Sequence, residues 1–248
     1  MNKTRDSHSL DVLYGINAVK EALGSRPIDH VVVREGAAGK RTQEILDQCR
    51  SRGIPVRFAP RPALDRLAQT GHHQDVVAVC SSKKYDDLDT LVRCESPALL
   101  LVLDGVEDPA NLGAIVRTAV GAGASGVVVG ERRAAGLSPA VARAAAGALE
   151  HARVARVKNL VRSLVELKEQ GLWVYGLEAG AEKSYLDLDY KVPCALVMGG
   201  EGRGLHRLVR EACDQLACIP LRGPVESLNV SVATGIVVYE ALRQRLAR

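Results

Sequence analysis

The chain has 248 residues, of which 47% are hydrophobic and 25% charged, and its formal net charge is +4. This composition is typical of globular proteins and suffices for one or two buried cores, which excludes an intrinsically disordered chain. No run of eighteen apolar residues occurs, so a membrane-spanning helix is not expected. The first ten residues are polar and lack the apolar stretch of a secretory signal, and we therefore expect a soluble, cytoplasmic protein.

Charge and cysteine usage narrow the possible partners. Residues 1–84 carry 14 Lys and Arg against 9 Asp and Glu, whereas the remainder is almost balanced, with 19 against 20. A basic first third fits contact with nucleic-acid phosphates, and it equally fits a solvated face. The six cysteines are scattered without a C-x-x-C pair, so no metal site is predicted.

The predicted elements of the first third alternate between helices and strands. Apolar residues at helical spacing from Ile16 to Leu23 predict a helix, and the run Val31 to Val33 predicts a buried strand. Further along, the pattern predicts a helix over residues 42–52, a strand over 54–58, a helix over 62–70 and a strand over 76–80. This alternation indicates a small α/β unit over residues 1–82, followed by a polar linker over 83–97.

Residues 98–248 are predicted to form a second α/β unit. Leu99 to Leu103 is a continuous apolar run, which is typical of strands inside parallel sheets. Further strands are predicted over residues 126–129, near 154, and over 172–177, 194–198 and 216–219. Helices are predicted after the first strand, near 139–149, and over 159–170 and 227–248. The fold class is therefore α/β, with a largely parallel sheet in this unit.

Three polar stretches follow or interrupt the strands of the second unit, and open α/β sheets bind ligands at such places. In the first stretch, Asp108 and Pro109 are typical of a helix start, and the helix carries Asn111 and Arg117. Six residues correspond to about 600° of rotation, so these two side chains do not lie on one helix face. An ordinary capped helix with a surface arginine fits the same residues.

The second and third stretches are a glycine-rich loop and a helix start. Four glycines among residues 199–204 let the backbone approach a ligand, although a flexible turn would look the same. The loop matches neither the dinucleotide nor the P-loop pattern. In residues 219–235, Ser227 or Asn229 is expected to cap the last helix. The free N–H groups of that helix start can hold a carboxylate, but a plain cap explains the pattern as well.

The histidines suggest no acid–base pair. His72 and His73 lie in the first unit, and His206 follows the glycine-rich loop. Since none has a partner visible in the sequence, each is predicted to be structural or solvent-exposed.

Together, the three stretches resemble the motifs of the SpoU (TrmH-type) branch of the SPOUT RNA methyltransferases. The pattern N-x-G-x-x-x-R-T-A runs from Asn111 to Ala119, and G-x-E-x-x-G-L runs from Gly199 to Leu205. The pattern I-P-x-x-G-x-x-x-S-L-N-V-S-V-A runs from Ile219 to Ala233. The three patterns follow one another in the family order and cover roughly residues 98–248.

The first third is similar to the substrate-binding domain of the same family. The similarity rests on Tyr14 to Val19 and on His73-Gln74, although Asp75 stands where the family usually has glycine. Within the family, the chain is most similar to bacterial 23S rRNA guanosine-2′-O-methyltransferases that act in the peptidyl-transferase P loop. The resemblance implies an RNA-binding first domain, a C-terminal trefoil knot and a homodimer. It also implies S-adenosylmethionine as the methyl donor, without a metal.

The resemblance further implies roles for the motif residues. Arg117 is expected to contact RNA phosphate and to stabilise the developing alkoxide, because an arginine with a pKa above about 12 is a poor base. Positioning of substrate, cofactor and Arg117 is assigned to Asn111, Glu201, Ser227 and Asn229. Backbone contacts to the cofactor are assigned to Gly199, Ile219 and Leu228, with Leu177 and Glu178 as lesser candidates.

Two alternatives stay open at this point. One is the same chemistry on tRNA or on another rRNA site, because substrate choice depends on the first domain and on surface charge. The other is a non-catalytic RNA-binding protein of ribosome assembly. The intact polar residues of the three motifs argue against this loss of activity.

Overall fold

The computed structural model describes residues 10–200 and 204–247, which form two compact units. The first unit comprises the described residues up to Lys84 together with Leu137–His151. The second comprises Tyr85–Gly136 and the described residues from Ala152 onwards. In the described ranges, no helix is long and apolar enough to span a membrane.

Strands and helices alternate along most of the described chain. The strands are β1 (Leu10–Tyr14), β2 (Ile28–Arg34), β3 (Val56–Ala59), β4 (Val76–Ser81), β5 (Leu99–Asp104), β6 (Gly126–Gly130), β7 (Val154–Val157), β8 (Trp173–Leu177), β9 (Lys183–Ser184), β10 (Cys194–Gly199) and β11 (Gln215–Cys218). The helices are α1 (Ile16–Ser25), α2 (Lys40–Ser51), α3 (Arg61–Ala68), α4 (Leu88–Arg93), α5 (Pro109–Gly121), α6 (Pro139–Ala144), α7 (Leu160–Glu169), α8 (Arg207–Ala212) and α9 (Val230–Leu246).

The first unit is a four-stranded sheet in the order β1-β4-β2-β3, covered by helices on both faces. Successive side chains of a strand point to opposite faces of the sheet, so alternate residues of β2 contact helices on opposite sides. Val31 and Val33 pack with Ile45 of α2, whereas Val32 packs with Leu64 of α3. The three consecutive valines thus supply both cores, which confirms the predicted buried strand.

A tight turn at residues 73–75 leads into β4 and hydrogen-bonds to the chain at the ends of β1 and β2. The buried His73 ring pairs with Asp65 through Nε2 (3.0 Å), and its Nδ1 accepts the Asp75 N–H (3.0 Å). His73 is therefore structural, as predicted, but it does have a partner. Asp75 adopts a left-handed φ of +64°, which Asp tolerates better than most residues, and its carboxylate pairs with Arg34 at 2.9 Å. This accounts for aspartate at a position where glycine is expected.

Segment Leu137–His151 belongs to the first unit, although it lies within the range predicted as the second domain. The predicted helix over 139–149 is wrong in length. Helix α6 ends at Ala144, because Ala146 and Gly147 have φ values of +51° and +96°, and a short 3₁₀ turn follows over Ala148–Glu150. We propose residues 1–82 and 98–248 as the two domains along the sequence.

A buried ion pair anchors this segment. The Glu150 carboxylate accepts hydrogen bonds from Arg26 Nε (2.9 Å) and Ser25 Oγ (2.7 Å), and both charged side chains are less than a tenth exposed. Burial alone raises the pKa of Glu150, but the hydrogen bonds from Arg26 and Ser25 and the charge of Arg26 outweigh it. The net pKa of the carboxyl lies below its ordinary value of 4.5.

Replacing Glu150 with Gln is expected to lower the free energy of unfolding by about 3 kcal/mol at pH 7, since it leaves the buried Arg26 charge poorly compensated. The pKa of Glu150 is lower in the folded state, so its contribution is present above about pH 4.5 and is lost as the pH falls through the folded-state pKa. Denaturant unfolding should therefore show a smaller difference in unfolding free energy between the wild type and Glu150→Gln at pH 4 than at pH 7. Glu44→Gln, at an exposed surface pair with Lys20, is the control. A difference between wild type and Glu150→Gln that is as large at pH 4 as at pH 7 would contradict this pH dependence.

The second unit is built on a seven-stranded sheet in the order β7-β6-β5-β10-β8-β11-β9, and all pairings between these strands are parallel. Every residue of β5 is buried, as the apolar run predicts. The sequence did not predict β9 or α8. The predicted linker contains helix α4, whose Leu91 is fully buried. The last helix begins at Val230 rather than at Ser227, because Asn229 is its cap.

Arg245 fastens the end of α9 to the sheet of the second unit. Its guanidinium donates to the backbone carbonyls of Tyr190 (2.8 Å), Pro97 (2.5 Å), Ala98 (2.9 Å) and Val192 (3.1 Å). These carbonyls precede β5 and β10, so one side chain joins three elements that are far apart in sequence.

We expect Arg245→Met to lower the free energy of unfolding by about 3 kcal/mol, because it leaves partly buried carbonyls without their charged donor. Urea denaturation of the full chain measures this change. Arg207→Met removes an exposed arginine that pairs within α8, and it should change stability little. Equal effects of the two substitutions would show that the Arg245 contacts contribute nothing specific.

Candidate functional site

The candidate site lies where parallel strands of the second unit end. Strands β6, β5, β10, β8 and β11 are consecutive neighbours in the sheet, so their carboxyl ends lie side by side. The first two polar stretches follow β5 and β10, and the third follows β11. Open α/β sheets bind ligands in crevices beyond such strand ends. The sheet topology therefore brings the three sequence motifs to one edge.

A cavity of about 340 Å³ opens at the ends of β6, β5 and β10. A backbone hydrogen bond from Ala135 N–H to the Val106 carbonyl (2.8 Å) holds the loop after β6 against the loop after β5. Among the described residues, the lining consists of Asp104, Gly105, Glu107, Arg133, Gly200, Gly204 and His206. Asp104 and Glu107 belong to the first polar stretch of the sequence, but no individual site role was predicted for them or for Arg133.

A buried carboxylate organises the wall of this cavity. Asp104 is 4% exposed, and its carboxylate accepts both the His206 backbone N–H (2.7 Å) and the ring Nδ1–H (2.9 Å). The remaining ring nitrogen, Nε2, lies 3.4 Å from an Arg133 guanidinium nitrogen. The expectation that His206 has no partner was wrong, because Asp104 precedes it by 102 residues and no local pattern connects them.

The glycine-rich loop is held in close backbone contact with the first polar stretch. The Gly200 N–H donates to the Asp104 carbonyl at 2.7 Å. A Cβ atom on Gly200 would lie 2.0 Å from the Gly105 carbonyl oxygen, and one on Gly199 would lie 2.3 Å from the Gly204 backbone. Since real Cβ atoms do not approach so closely, only glycine fits at both positions. These glycines therefore allow close backbone contact within the protein, and the predicted approach to a ligand stays a prediction.

The residues predicted to contact the cofactor lie mainly at three adjacent strand ends. Gly199 ends β10, Leu177 ends β8 with Glu178 next to it, and Ile219 follows β11. The Glu178 N–H donates to the Ala217 carbonyl (3.0 Å), and its carboxylate accepts from Arg210 Nε at 2.6 Å. Leu228 is half-buried just before the cap of α9.

The first and third motifs meet through two asparagines. Asn229 Nδ2 donates to Asn111 Oδ1 at 3.0 Å, while Asn229 Oδ1 accepts the Ser231 N–H (2.9 Å) as the cap of α9. Asn111 is buried in the first turn of α5. One amide thus ties together two helix starts that are 118 residues apart. Ser227 lies exposed in the loop before this cap and does not cap the helix itself.

Arg117 lies exposed on α5, on a different face from the buried Asn111, as the six-residue spacing predicts. Its guanidinium makes no hydrogen bond or ion pair with any residue that the structure describes, so it is available to an anionic ligand. Glu201, predicted as a positioning residue, lies outside the described residues. Within the described ranges, no group of His, Cys, Asp and Glu side chains is arranged to hold a metal ion.

Comparison with known families decides where the chain belongs. The family model of the SpoU rRNA methylases matches residues 98–239, which contain all three motifs. The chain belongs to the SpoU rRNA methylase family. A second model, for RNA 2′-O ribose methyltransferase substrate binding, matches residues 12–86 of the first unit. This SpoU family member therefore carries both the methylase part and the substrate-binding part.

Individual proteins resemble this SpoU family member over nearly its whole length. It is 44% identical to the putative TrmH family tRNA/rRNA methyltransferase YacO of Bacillus subtilis, over 96% of this chain and 98% of YacO. It is 43% identical to the 23S rRNA (guanosine-2′-O-)-methyltransferase RlmB of Xylella fastidiosa, over 94% and 96%. The crystal structure of AviRb from Streptomyces viridochromogenes in complex with AdoMet superposes with a TM-score of 0.82 at 26% identity. It covers 96% of this chain and 92% of AviRb.

Proposed function

We propose that the protein transfers a methyl group from S-adenosylmethionine to the ribose 2′-hydroxyl of a guanosine in 23S rRNA, within the peptidyl-transferase P loop. Membership of the SpoU family and the similarity to RlmB support this reaction and substrate. The observation that carries the proposal is the meeting of all three family motifs at one edge of the parallel sheet, with Asn111 bonded to Asn229.

The methyl donor fits the ends of β10, β8 and β11. Gly199, Leu177 and Ile219 lie at or just beyond these strand ends, and Leu228 offers a partly buried apolar side chain. Pockets for such ligands are mostly apolar, with a few well-placed polar groups. When bound, S-adenosylmethionine supplies an electrophilic methyl group on a sulfonium, so the protein need not activate a leaving group.

The protein's own residues act on the hydroxyl. We propose that Arg117 binds the RNA phosphate and stabilises negative charge as the 2′-oxygen loses its proton. We assign it no role as a base, because a guanidinium is a poor proton acceptor. Asn111 and Asn229 hold the start of α5, which carries Arg117, against the start of α9. Ser227 and Glu201 are proposed to complete the positioning of substrate and cofactor.

The first unit is proposed to bind RNA through its basic surface, and the protein is proposed to act in the cytoplasm as a homodimer. An apolar stripe on α9 supports a second copy as partner. Val232, Tyr239 and Leu246 recur every seven residues and are each about half exposed or more. Sedimentation of the wild type and of a variant with charged residues on this stripe tests the dimer. The C-terminal trefoil knot stays an expectation from the family resemblance.

The decisive experiment is mass-spectrometric mapping of 2′-O-methylated nucleosides in rRNA and tRNA from a strain lacking the gene. We expect one guanosine methylation to disappear from the 23S P loop and to return when the gene is restored. Loss of a tRNA methylation instead would redirect the substrate and preserve the chemistry. If every ribose methylation persists, the protein is no methyltransferase under those conditions and the proposal fails.

A further inference from the structure

The cavity at the ends of β6, β5 and β10 has no role in the function proposed so far, because the proposed methyl-donor contacts lie mainly toward β8 and β11. Its volume of about 340 Å³ falls at the lower end of small-ligand pockets, which span about 300–1,000 Å³. We infer that this cavity binds the guanine base of the acceptor nucleotide, and that Glu107 and Arg133 read the edges of that base. The inference rests on the proposed function, since it names how that site selects its nucleotide.

The two lining groups match the polar edges of guanine. Glu107 is exposed and has no hydrogen bond or ion pair with any residue in the described part of the chain, so its carboxylate can accept two N–H groups. Guanine offers the adjacent N1–H and N2–H₂ donors. Its O6 and N7 acceptors are the usual partners of an arginine fork, which Arg133 supplies. RNA-binding proteins commonly read such edges on bases that are splayed out of the stack.

Two side chains, those of Asp104 and His206, hold the Arg133 guanidinium in place. Buried Asp104 fixes the His206 ring through Nδ1, which leaves Nε2 at 3.4 Å from an Arg133 guanidinium nitrogen. Arg133 itself has a left-handed φ of +53°, a conformation that costs free energy for a residue other than glycine. Strain of this kind persists where the surroundings hold a residue for a purpose. His206 and Asp104 are thus positioning residues for the guanidinium.

The charges around the cavity favour a base over a phosphate. Among the described lining residues, the carboxylates of Asp104 and Glu107 face one guanidinium, that of Arg133. A phosphate would be repelled by the unpaired Glu107, whereas a neutral base with both donors and acceptors satisfies Glu107 and Arg133 together. Adenine lacks the N1–H and the O6 acceptor, and the cavity therefore discriminates against it.

The test measures kcat/KM on synthetic RNA hairpins that carry guanosine, inosine or adenosine at the mapped nucleotide. Inosine keeps O6, N7 and N1–H but lacks the N2 amino group. The wild type is expected to prefer guanosine over inosine roughly tenfold and over adenosine roughly a hundredfold. Glu107→Gln should bring the guanosine-to-inosine ratio close to one. Because both RNAs are assayed on the same enzyme sample, partial unfolding of the variant cancels from the ratio.

Matched controls are Glu131→Gln and Arg132→Lys, which change exposed residues next to Arg133 in the loop after β6 that do not line the cavity. Arg133→Lys should lower guanosine methylation about tenfold while leaving S-adenosylhomocysteine binding by calorimetry unchanged. If Glu107→Gln keeps the guanosine-to-inosine ratio of the wild type, the proposed function stands while the inference about the cavity is overturned. Loss of S-adenosylhomocysteine binding in Arg133→Lys also overturns it, by assigning the cavity to the cofactor. Failure of the wild type to methylate any hairpin overturns the proposed function itself.

Discussion

Arg117→Ala is expected to lower methyl transfer to 23S rRNA by at least about a hundredfold, while the affinity for S-adenosylhomocysteine stays within about twofold of the wild type. The physical reason is that a preorganised cation beside a developing alkoxide contributes a large share of transition-state stabilisation, and removing one such donor costs about 10²–10³ in rate. Arg117 is exposed and makes no hydrogen bond or ion pair with a described residue, so its removal should not disturb the fold.

Single-turnover methylation and calorimetry measure the two effects separately. Arg162→Ala is the matched control, because Arg162 is also an exposed helical arginine of the second unit. Among the described residues its guanidinium pairs only with Glu166 on the same helix. Full methylation activity in Arg117→Ala would refute the assigned role. Loss of S-adenosylhomocysteine binding would indicate that Arg117 binds the cofactor rather than acting on the hydroxyl.

The second large effect is expected for Gly200→Ala. A Cβ at this position would lie 2.0 Å from the Gly105 carbonyl oxygen, so one of the two loops must move by more than 1 Å to reach ordinary contact. Displacement of a positioning element by about 1 Å can cost about a hundredfold in rate. We therefore expect methylation to fall by about that factor and S-adenosylhomocysteine binding to weaken as well, because the same loop continues into the proposed cofactor contacts.

Gly24→Ala provides the control for this substitution. Gly24 lies in α1, nothing comes within 4 Å of a Cβ there, and its φ is not positive. Alanine is the better helix former, so this variant should be as active and at least as stable as the wild type. Normal activity of Gly200→Ala, with normal cofactor binding, would mean that the close contact between the two loops has no functional consequence.

Local patterns predicted those features that depend on neighbouring residues. The valine run of β2 and the leucine run of β5 indicated buried strands, since each side chain pattern is set within a few residues. The cap at Asn229 and the helix start at Asp108 were also readable, because a cap acts on N–H groups two or three residues away. The three motif stretches were predictable for the same reason, because each is a continuous stretch of sequence.

Features that depend on distant residues were not predictable in this way. His206 was expected to lack a partner, yet its partner Asp104 is brought to it only by the parallel pairing of β5 with β10. The sequence does not predict the cavity for the same reason, since Glu107 and Arg133 belong to loops after different strands. The break after α6 was missed because an alanine-rich stretch favours a helix, whereas Gly147 is pressed against α1, where its Cβ would lie 2.6 Å from the Glu21 side chain.

Segment Leu137–His151 has a consequence for modular engineering of this family. The two family-model matches, residues 12–86 and 98–239, invite a single cut between them when a chimera or a fragment is made. Such a cut would separate Glu150 from Arg26 and would remove α1 and β1 from beside the segment. A graft of the first unit onto another methylase should therefore carry two pieces of chain, and a fragment that begins at Tyr85 should be cleaved by proteases first within this segment.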